Sequence, residues 1–254
     1  MSTLPTMTSS IPNWLSLEIA QRMEEKLSIV RLSPQHIFHS GCLQPKIIYR
    51  RFPNARNYSS NLSVQRSPLT NLISQILKRP TLKFVSLDDV VCQHAIDLVW
   101  SNLELQHHSS PEELIKAWER LLKPESLLMF SYLGPDTAKE LRTMGCLDHA
   151  LPSTWDMHDV GDALSQSGFA EPVMDMEYIT LEYDNAELLF KDAVELGFGV
   201  SEQINGLGVD GFTNPLQLTL EVVYGHAWTP KQRLSRSTMG VATIDIDQIV
   251  RQKT

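Results

Sequence analysis

Ala95–Trp100, AIDLVW, followed by Pro111–Leu122, PEELIKAWERLL, and Leu127–Tyr132, LLMFSY, decides the fold. The first and third segments are almost entirely apolar, as strands covered on both faces must be. Between them lies a helix pattern. Ser110 stands at the cap position, Pro111, Glu112 and Glu113 suit the positive end of the helix dipole, and Leu114, Ile115, Trp118, Leu121 and Leu122 form one stripe. Strand, helix and strand in this rhythm are the unit of an α/β protein with a parallel sheet.

Working outward, the alternation continues. Leu15, Ile19, Met23 and Leu27 recur on one face and predict a helix over Trp14–Ile29. Pro34 stops it, and Gln35–His39 reads as a strand, Lys46–Arg51 as a short helix and Ala55–Ser59 as a weak strand. Pro68–Leu77 predicts a helix with Ser67 as its cap, and Thr81–Ser86 a strand. Downstream, helices are expected over Pro135–Met144, His158–Gln166 (capped by Asp156) and Ala186–Leu196, with strands over Val173–Glu182 and Leu218–Trp228. The closing strands fit an antiparallel edge on a parallel sheet. The domain expectation is a disordered tail over 1–12, a single domain over 13–228 with lid or insertion elements in 135–217, and a second tail over 229–254.

The chain has 254 residues and a formal charge of −8, from 22 Lys+Arg against 30 Asp+Glu. That balance argues against broad nucleic-acid binding, which needs concentrated positive charge. The densest basic patch is Arg50, Arg51 and Arg56, with Lys78, Arg79, Lys231, Arg233 and Arg236 behind it. Cys42, Cys92 and Cys146 are too dispersed for a disulfide framework or a CxxC metal pair. The apolar runs are too short to cross a bilayer and MSTLPTMTSS has no signal core, so a cytoplasmic protein without membrane insertion is expected.

Asn102, Leu103 and Gln106 follow the AIDLVW strand, where open α/β sheets hold their ligands. The alternative is structural: Asn102 ends the strand and Gln106 caps a turn. Tyr224, His226 and Trp228 alternate with Val222 on one face of the last strand, either lining the acceptor side of a cleft or packing as an aromatic cluster. His39, His107 and His108 invite a metal reading, but no HxH, HExxH or carboxylate at ligand spacing supports it, so no metal is expected. Asp156, His158 and Asp159 read as a helix start.

The segments EIAQRMEEKLSIVRLSPQ, FPNA, IDLVWSNLELQ, LLKPESLLMFSYLGPDTAKELR, DMHDVGDALSQSGFAEPVMDMEYITLEY and EVVYGHAW, from Glu18 to Trp228, together carry a family pattern. The chain resembles the class I S-adenosylmethionine-dependent methyltransferases. More narrowly, it looks like the malonyl-acyl-carrier-protein O-methyltransferases of biotin synthesis and their mitochondrial relative, a complex I assembly factor that hydroxylates an arginine.

The resemblance implies a Rossmann-like, mostly parallel sheet with an antiparallel C-terminal strand and a helical lid. It also implies S-adenosylmethionine as cofactor, held by Gly41, Cys42, Asn61, Asp88 or Asp89, Asn102, Leu103 and Gln106. The implied partner is an acyl-carrier protein. Arg50, Arg51 and Arg56 are either a docking patch for it or a solvated face, and Tyr224, His226 and Trp228 are the catalytic candidates.

The first-strand pattern of this family, hhDhGCGTG, is eroded to Ile37-Phe38-His39-Ser40-Gly41-Cys42-Leu43-Gln44-Pro45. His39 stands at the acidic position that serves the methionine amino group, and Leu43 and Pro45 at two glycines, restoring side chains and fixing φ. Asn61 stands where an acid binds the ribose. Two readings follow: an active carboxyl O-methyltransferase, or a pseudoenzyme without donor binding that acts as a binding or assembly partner. Hydroxylation, as in the assembly-factor relative, is a third and lacks a metal triad.

Overall fold

The computed structural model describes residues 11–59, 82–85, 93–108, 110–143, 145, 147–149, 155–196, 198–200 and 216–231. Its elements in chain order are α1 (Asn13–Leu27), β1 (His36–Gly41), α2 (Pro45–Arg51), β2 (Arg56–Ser59), β3 (Leu82–Phe84), β4 (Ile96–Asn102), α3 (Pro111–Leu121) and β5 (Leu122–Leu133). Then come α4 (Lys139–Thr143), β6 (Leu147–His149), α5 (Met157–Gln166), β7 (Ala170–Tyr183), α6 (Ala186–Glu195), β8 (Gly199–Val200) and β9 (Leu216–Trp228). The helix expected over Pro68–Leu77 lies outside the described residues.

Seven strands form one sheet in the order β3-β2-β1-β4-β5-β9-β7, and β6 pairs with β8 separately. The first five strands are mutually parallel, while β9 runs antiparallel to both β5 and β7. The expected antiparallel strand is therefore present, but it lies inside the sheet and β7 forms the edge. Burial explains the order: all but three residues of β9 are buried, whereas β7 alternates between partly and fully exposed residues.

Side-chain alternation sends successive residues to opposite faces. Ile37, Leu98, Leu127, Met129, Leu220 and Val222 pack against Leu15, Ile19, Met23 and Leu27 of α1 and Leu189 and Ala193 of α6. Phe38, Val99, Leu128, Phe130 and Val223 pack against Leu114, Ile115 and Trp118 of α3 and Val160 and Leu164 of α5. Two cores thus sandwich the sheet.

Local expectations differ from the structure at the ends of elements. α1 stops at Leu27 because Ile29, 85% exposed, has no place on the stripe. Ser110 is the N-cap residue of α3, yet its hydroxyl donates to the Glu112 carboxylate at 3.0 Å and makes no cap bond to the backbone. Asp156 does cap α5, accepting from the His158 N–H at 2.8 Å. The helix expected over Pro135–Met144 shrinks to five residues because Ala138, at φ 56°, donates its N–H to the Thr219 carbonyl at 2.7 Å.

Two residues just beyond the expected domain limits are packed. Ile11 is buried in the α1 core, and Thr229 is buried with its N–H bonded to the Ser126 carbonyl.

Candidate functional site

The strand order reverses its sense between β1 and β4, so the carboxyl ends of these neighbours form the switch point at which open α/β sheets hold ligands in a crevice. Gly41 ends β1 and pairs in register with Asn102 at the end of β4. Gly41 has φ 73°, and a Cβ there would overlap the Asn102 carbonyl oxygen and lie 2.8 Å from the Glu104 Cβ. Only glycine fits. The Cys42 N–H then donates to the Asn102 carbonyl at 2.7 Å, locking the turn to β4.

Asn102 is fully buried and fully engaged. Its Nδ2 donates to the Ser16 carbonyl of α1 at 2.9 Å and to the Cys42 carbonyl at 3.2 Å, and its Oδ1 accepts from the Ser131 hydroxyl of β5 at 3.0 Å. Leu103 takes φ 55°, and its N–H donates to the Ser131 carbonyl at 3.0 Å. Gln106 donates to the Leu103 carbonyl at 3.0 Å and accepts from the Leu133 N–H at 3.4 Å, so it caps the turn. These three predicted residues do converge at the mouth. Their side chains build it more than they line it.

Glu104 is the residue that sequence reasoning passed over. One carboxylate oxygen accepts from the Ser40 hydroxyl and lies 3.5 Å from the Ser101 hydroxyl; the other is 3.6 Å from His108 Nε2, with the Glu104 side chain only 17% exposed. The signal was visible as a lone charge between the apolar Leu103 and Leu105.

His39 faces inward from β1. Its Nε2 pairs with Asn57 Oδ1 of β2 at 2.8 Å, and burial pushes the imidazole pKa down to about 4, so it is neutral at pH 7. Nδ1 or Nε2 carries its single proton; donation to Asn57 Oδ1 selects Nε2. Leu43, Gln44 and Pro45 are half-buried, and Pro45 opens α2 as expected. The Gln44 amide donates to Asn13 Oδ1 at 2.9 Å and to the Ser16 hydroxyl at 3.0 Å, so the altered loop holds the start of α1.

Tyr224, His226 and Trp228 share one face of β9, and the register sets them at three heights, Tyr224 level with Ser131 and Asn102 and the other two below it. β9 runs antiparallel to β5, so Tyr224 pairs with Ser131, His226 with Met129 and Trp228 with Leu127, progressively toward the amino end of β5. Tyr224 lies under α1, its hydroxyl donating to Glu177 at 2.5 Å and Lys26 Nζ 4.8 Å from its ring centroid. His226 is half-buried, which lowers its pKa. The cleft-lining role expected for the three therefore meets unequal placements: Tyr224 stays level with Asn102 but is buried, while the antiparallel direction of β9 carries His226 and Trp228 toward the amino end of β5.

Asn61, Asp88 and Asp89 lie outside the described residues, as do Lys78, Arg79, Arg233 and Arg236. Of the basic patch, Arg50 and Arg56 are exposed. Arg51 is engaged, donating to Glu24 at 2.6 Å and to the Leu27 carbonyl at 3.2 Å beside a groove of about 770 Å³ between α1 and α2. Among the described residues no group of three His, Cys, Asp or Glu side chains could hold a metal ion, and no helix is long and apolar enough to cross a membrane.

The fold has solved counterparts. YcgJ of Bacillus subtilis superposes with a TM-score of 0.54 at 12% identity, over 87% of this chain and 100% of that one. A methyltransferase candidate from Bacillus halodurans C-125 gives 0.57 at 10% identity, over 84% and 99%. The (4+2)-cyclase SpnF gives 0.51 at 15%, over 88% and 86%, so the fold alone leaves the reaction open. Strand order and crevice define a class I methyltransferase fold. No protein-family model matches the chain.

Curated relatives narrow the assignment. The malonyl-(acyl-carrier protein) O-methyltransferase of Methylovorus sp. strain MP688 is 34% identical over 251 residues, covering 87% of this chain and 84% of that protein. The protein of the same name from Gallionella capsiferriformans strain ES-2 is 34% identical over 250 residues, covering 87% and 86%. The chain belongs to the malonyl-(acyl-carrier protein) O-methyltransferase family.

Proposed function

We propose that this chain transfers a methyl group from S-adenosylmethionine to the free carboxylate of a malonyl group carried on an acyl-carrier protein. The observation that carries the reading is the Gly41–Asn102 junction, a glycine-only turn at the switch point of the sheet in a chain 34% identical to the named relatives. The residues present fit the donor: the left-handed Gly41 keeps the backbone close to β4, and the half-buried acid at the mouth, Glu104, suits a cationic ligand.

S-adenosylmethionine would supply a methyl carbon on a positively charged sulfur. A malonyl carboxylate is ionised at pH 7, so displacement at that carbon needs no general base and no proton moves. The work left to the protein is positioning and exclusion of water. Gly41 and Cys42 would border the donor, on a turn that the buried Asn102 and Leu103 hold in place. The start of α1, fastened by Asn102 and Gln44, covers the crevice. Exposed Arg50 and Arg56 suit an acidic carrier protein, whose approach they would steer.

Leu43 and Pro45, at two glycine positions of the family pattern, favour a second reading: a pseudoenzyme that retains the fold and serves as a binding or assembly partner. Thermal shift with S-adenosylmethionine separates the two. At 100 times its dissociation constant a ligand stabilises the fold by about 2.7 kcal/mol. A shift, together with methyl-ester formation on malonyl-carrier protein detected by mass spectrometry, supports the enzyme. No shift at millimolar donor and no ester supports the pseudoenzyme.

A further inference from the structure

We propose that Glu104 is the donor-recognising acid of this chain, its carboxylate receiving the positively charged amino-acid end of the methyl donor at the junction of β1 and β4. The inference rests on the donor reading above and adds a residue to it.

Three observations carry it. First, Glu104 lies two residues past the carboxyl end of β4, and its Cβ lies 2.8 Å from where a Gly41 Cβ would be, so it stands against the turn that ends β1 at the switch point. Secondly, its charge is only partly compensated. Oε2 receives the neutral Ser40 hydroxyl and is 3.5 Å from that of Ser101, while Oε1 faces His108 Nε2 at 3.6 Å, beyond good hydrogen-bond length. Among the described residues no lysine or arginine pairs with it. A carboxylate at 17% exposure has lost much of its hydration, so it favours a cation that can donate hydrogen bonds to it.

Thirdly, β1 offers no charge of its own at this level. His39 is buried, turned to Asn57 and neutral, whereas Ser40 presents its hydroxyl to Glu104. The acid therefore reaches the end of β1 from the neighbouring strand, held there by a β1 side chain. An ammonium group would meet Oε1 while Ser40 keeps Oε2 in place.

The test is calorimetric titration of the wild-type chain, Glu104→Gln and Glu104→Ala with S-adenosylmethionine, S-adenosylhomocysteine and 5′-methylthioadenosine, which lacks the amino-acid end. Glu104→Gln keeps an oxygen for Ser40, and its thermal melt reports folding. Losing a charge-assisted bond should weaken the first two ligands by roughly 10–100-fold and leave methylthioadenosine within about twofold. The wild-type chain needs no variant to be informative: it should prefer S-adenosylhomocysteine to methylthioadenosine. Equal wild-type affinities, or tight binding of S-adenosylmethionine by Glu104→Gln, overturn the assignment while the donor reading stands. Tighter binding of all three by Glu104→Ala overturns it by showing the side chain to be an obstruction. Wild-type protein that binds none of the three overturns the donor reading, and the assignment with it.

Discussion

Ser16 of α1 and Asn102 of β4, 86 positions apart, are joined by one buried hydrogen bond: the Asn102 Nδ2 donates to the Ser16 carbonyl at 2.9 Å. The same amide group reaches the Cys42 carbonyl, and its oxygen accepts from Ser131. One side chain therefore ties the covering helix, the loop after β1 and the end of β5 to the crevice.

Asn102→Ala removes all three bonds and leaves a buried hydroxyl and two carbonyls to find other partners. The expected loss is about 2–3 kcal/mol, read as a lower urea midpoint. Amide exchange should accelerate in the first turns of α1 more than in α3, which has no bond to Asn102. Uniform acceleration across the two helices would contradict the tie.

Gly41→Ala combines a left-handed backbone with a Cβ overlapping the Asn102 carbonyl. Strain and overpacking together should cost about 2–4 kcal/mol. Donor affinity should fall with it, because the loop must move off β4. A variant with wild-type stability would show that the turn relaxes without cost.

His39 sets a pH dependence of stability. Its folded pKa, about 4, lies below the unfolded value of roughly 6.5, so the unfolded chain binds more protons between these limits and stability falls as pH drops through that window. The full effect of a shift this size is about 3 kcal/mol. Comparing urea denaturation of wild type and His39→Gln at pH 7 and pH 4.5 checks it: the variant should lose less stability on acidification. Parallel losses would remove His39 as the cause.

Tyr224→Phe breaks the bond to Glu177, a carboxylate also paired with Arg22 at 2.8 Å and about one-third exposed. Water can replace the hydroxyl there, so the loss should be near 1 kcal/mol. Arg22→Ala should cost less than about 1 kcal/mol, because exposed ion pairs contribute little. A much larger effect of Tyr224→Phe on methyl transfer than on stability would assign Tyr224 to the acceptor side of the site.

The fold was legible where burial writes a plain pattern. AIDLVW, LLMFSY and the α3 stripe needed no partner to be read, because a two-sided strand and a one-sided helix carry their own periodicities. Asn102, Leu103 and Gln106 were legible as mouth residues for the same reason: they follow a buried strand. Tyr224, His226 and Trp228 were legible as sharing a face, but their height depends on the direction of β9 against β5, a relation between segments about 90 residues apart. Glu104 was hidden by a similar distance, since its partner Ser40 lies 64 positions away.

The amino-acid sequence by itself determined the alternation of elements and the parallel core of the sheet, because these follow from local patterns of apolar side chains and turn residues; the methyltransferase fold came from the family resemblance of the segments between Glu18 and Trp228. Tertiary structure alone decided that β9 inserts between β5 and β7, that His39 turns inward to Asn57, and that Glu104 comes to rest against Ser40. Those outcomes depend on which strands pair and in what register, and pairing energy is shared between distant segments, so neither segment carries it alone.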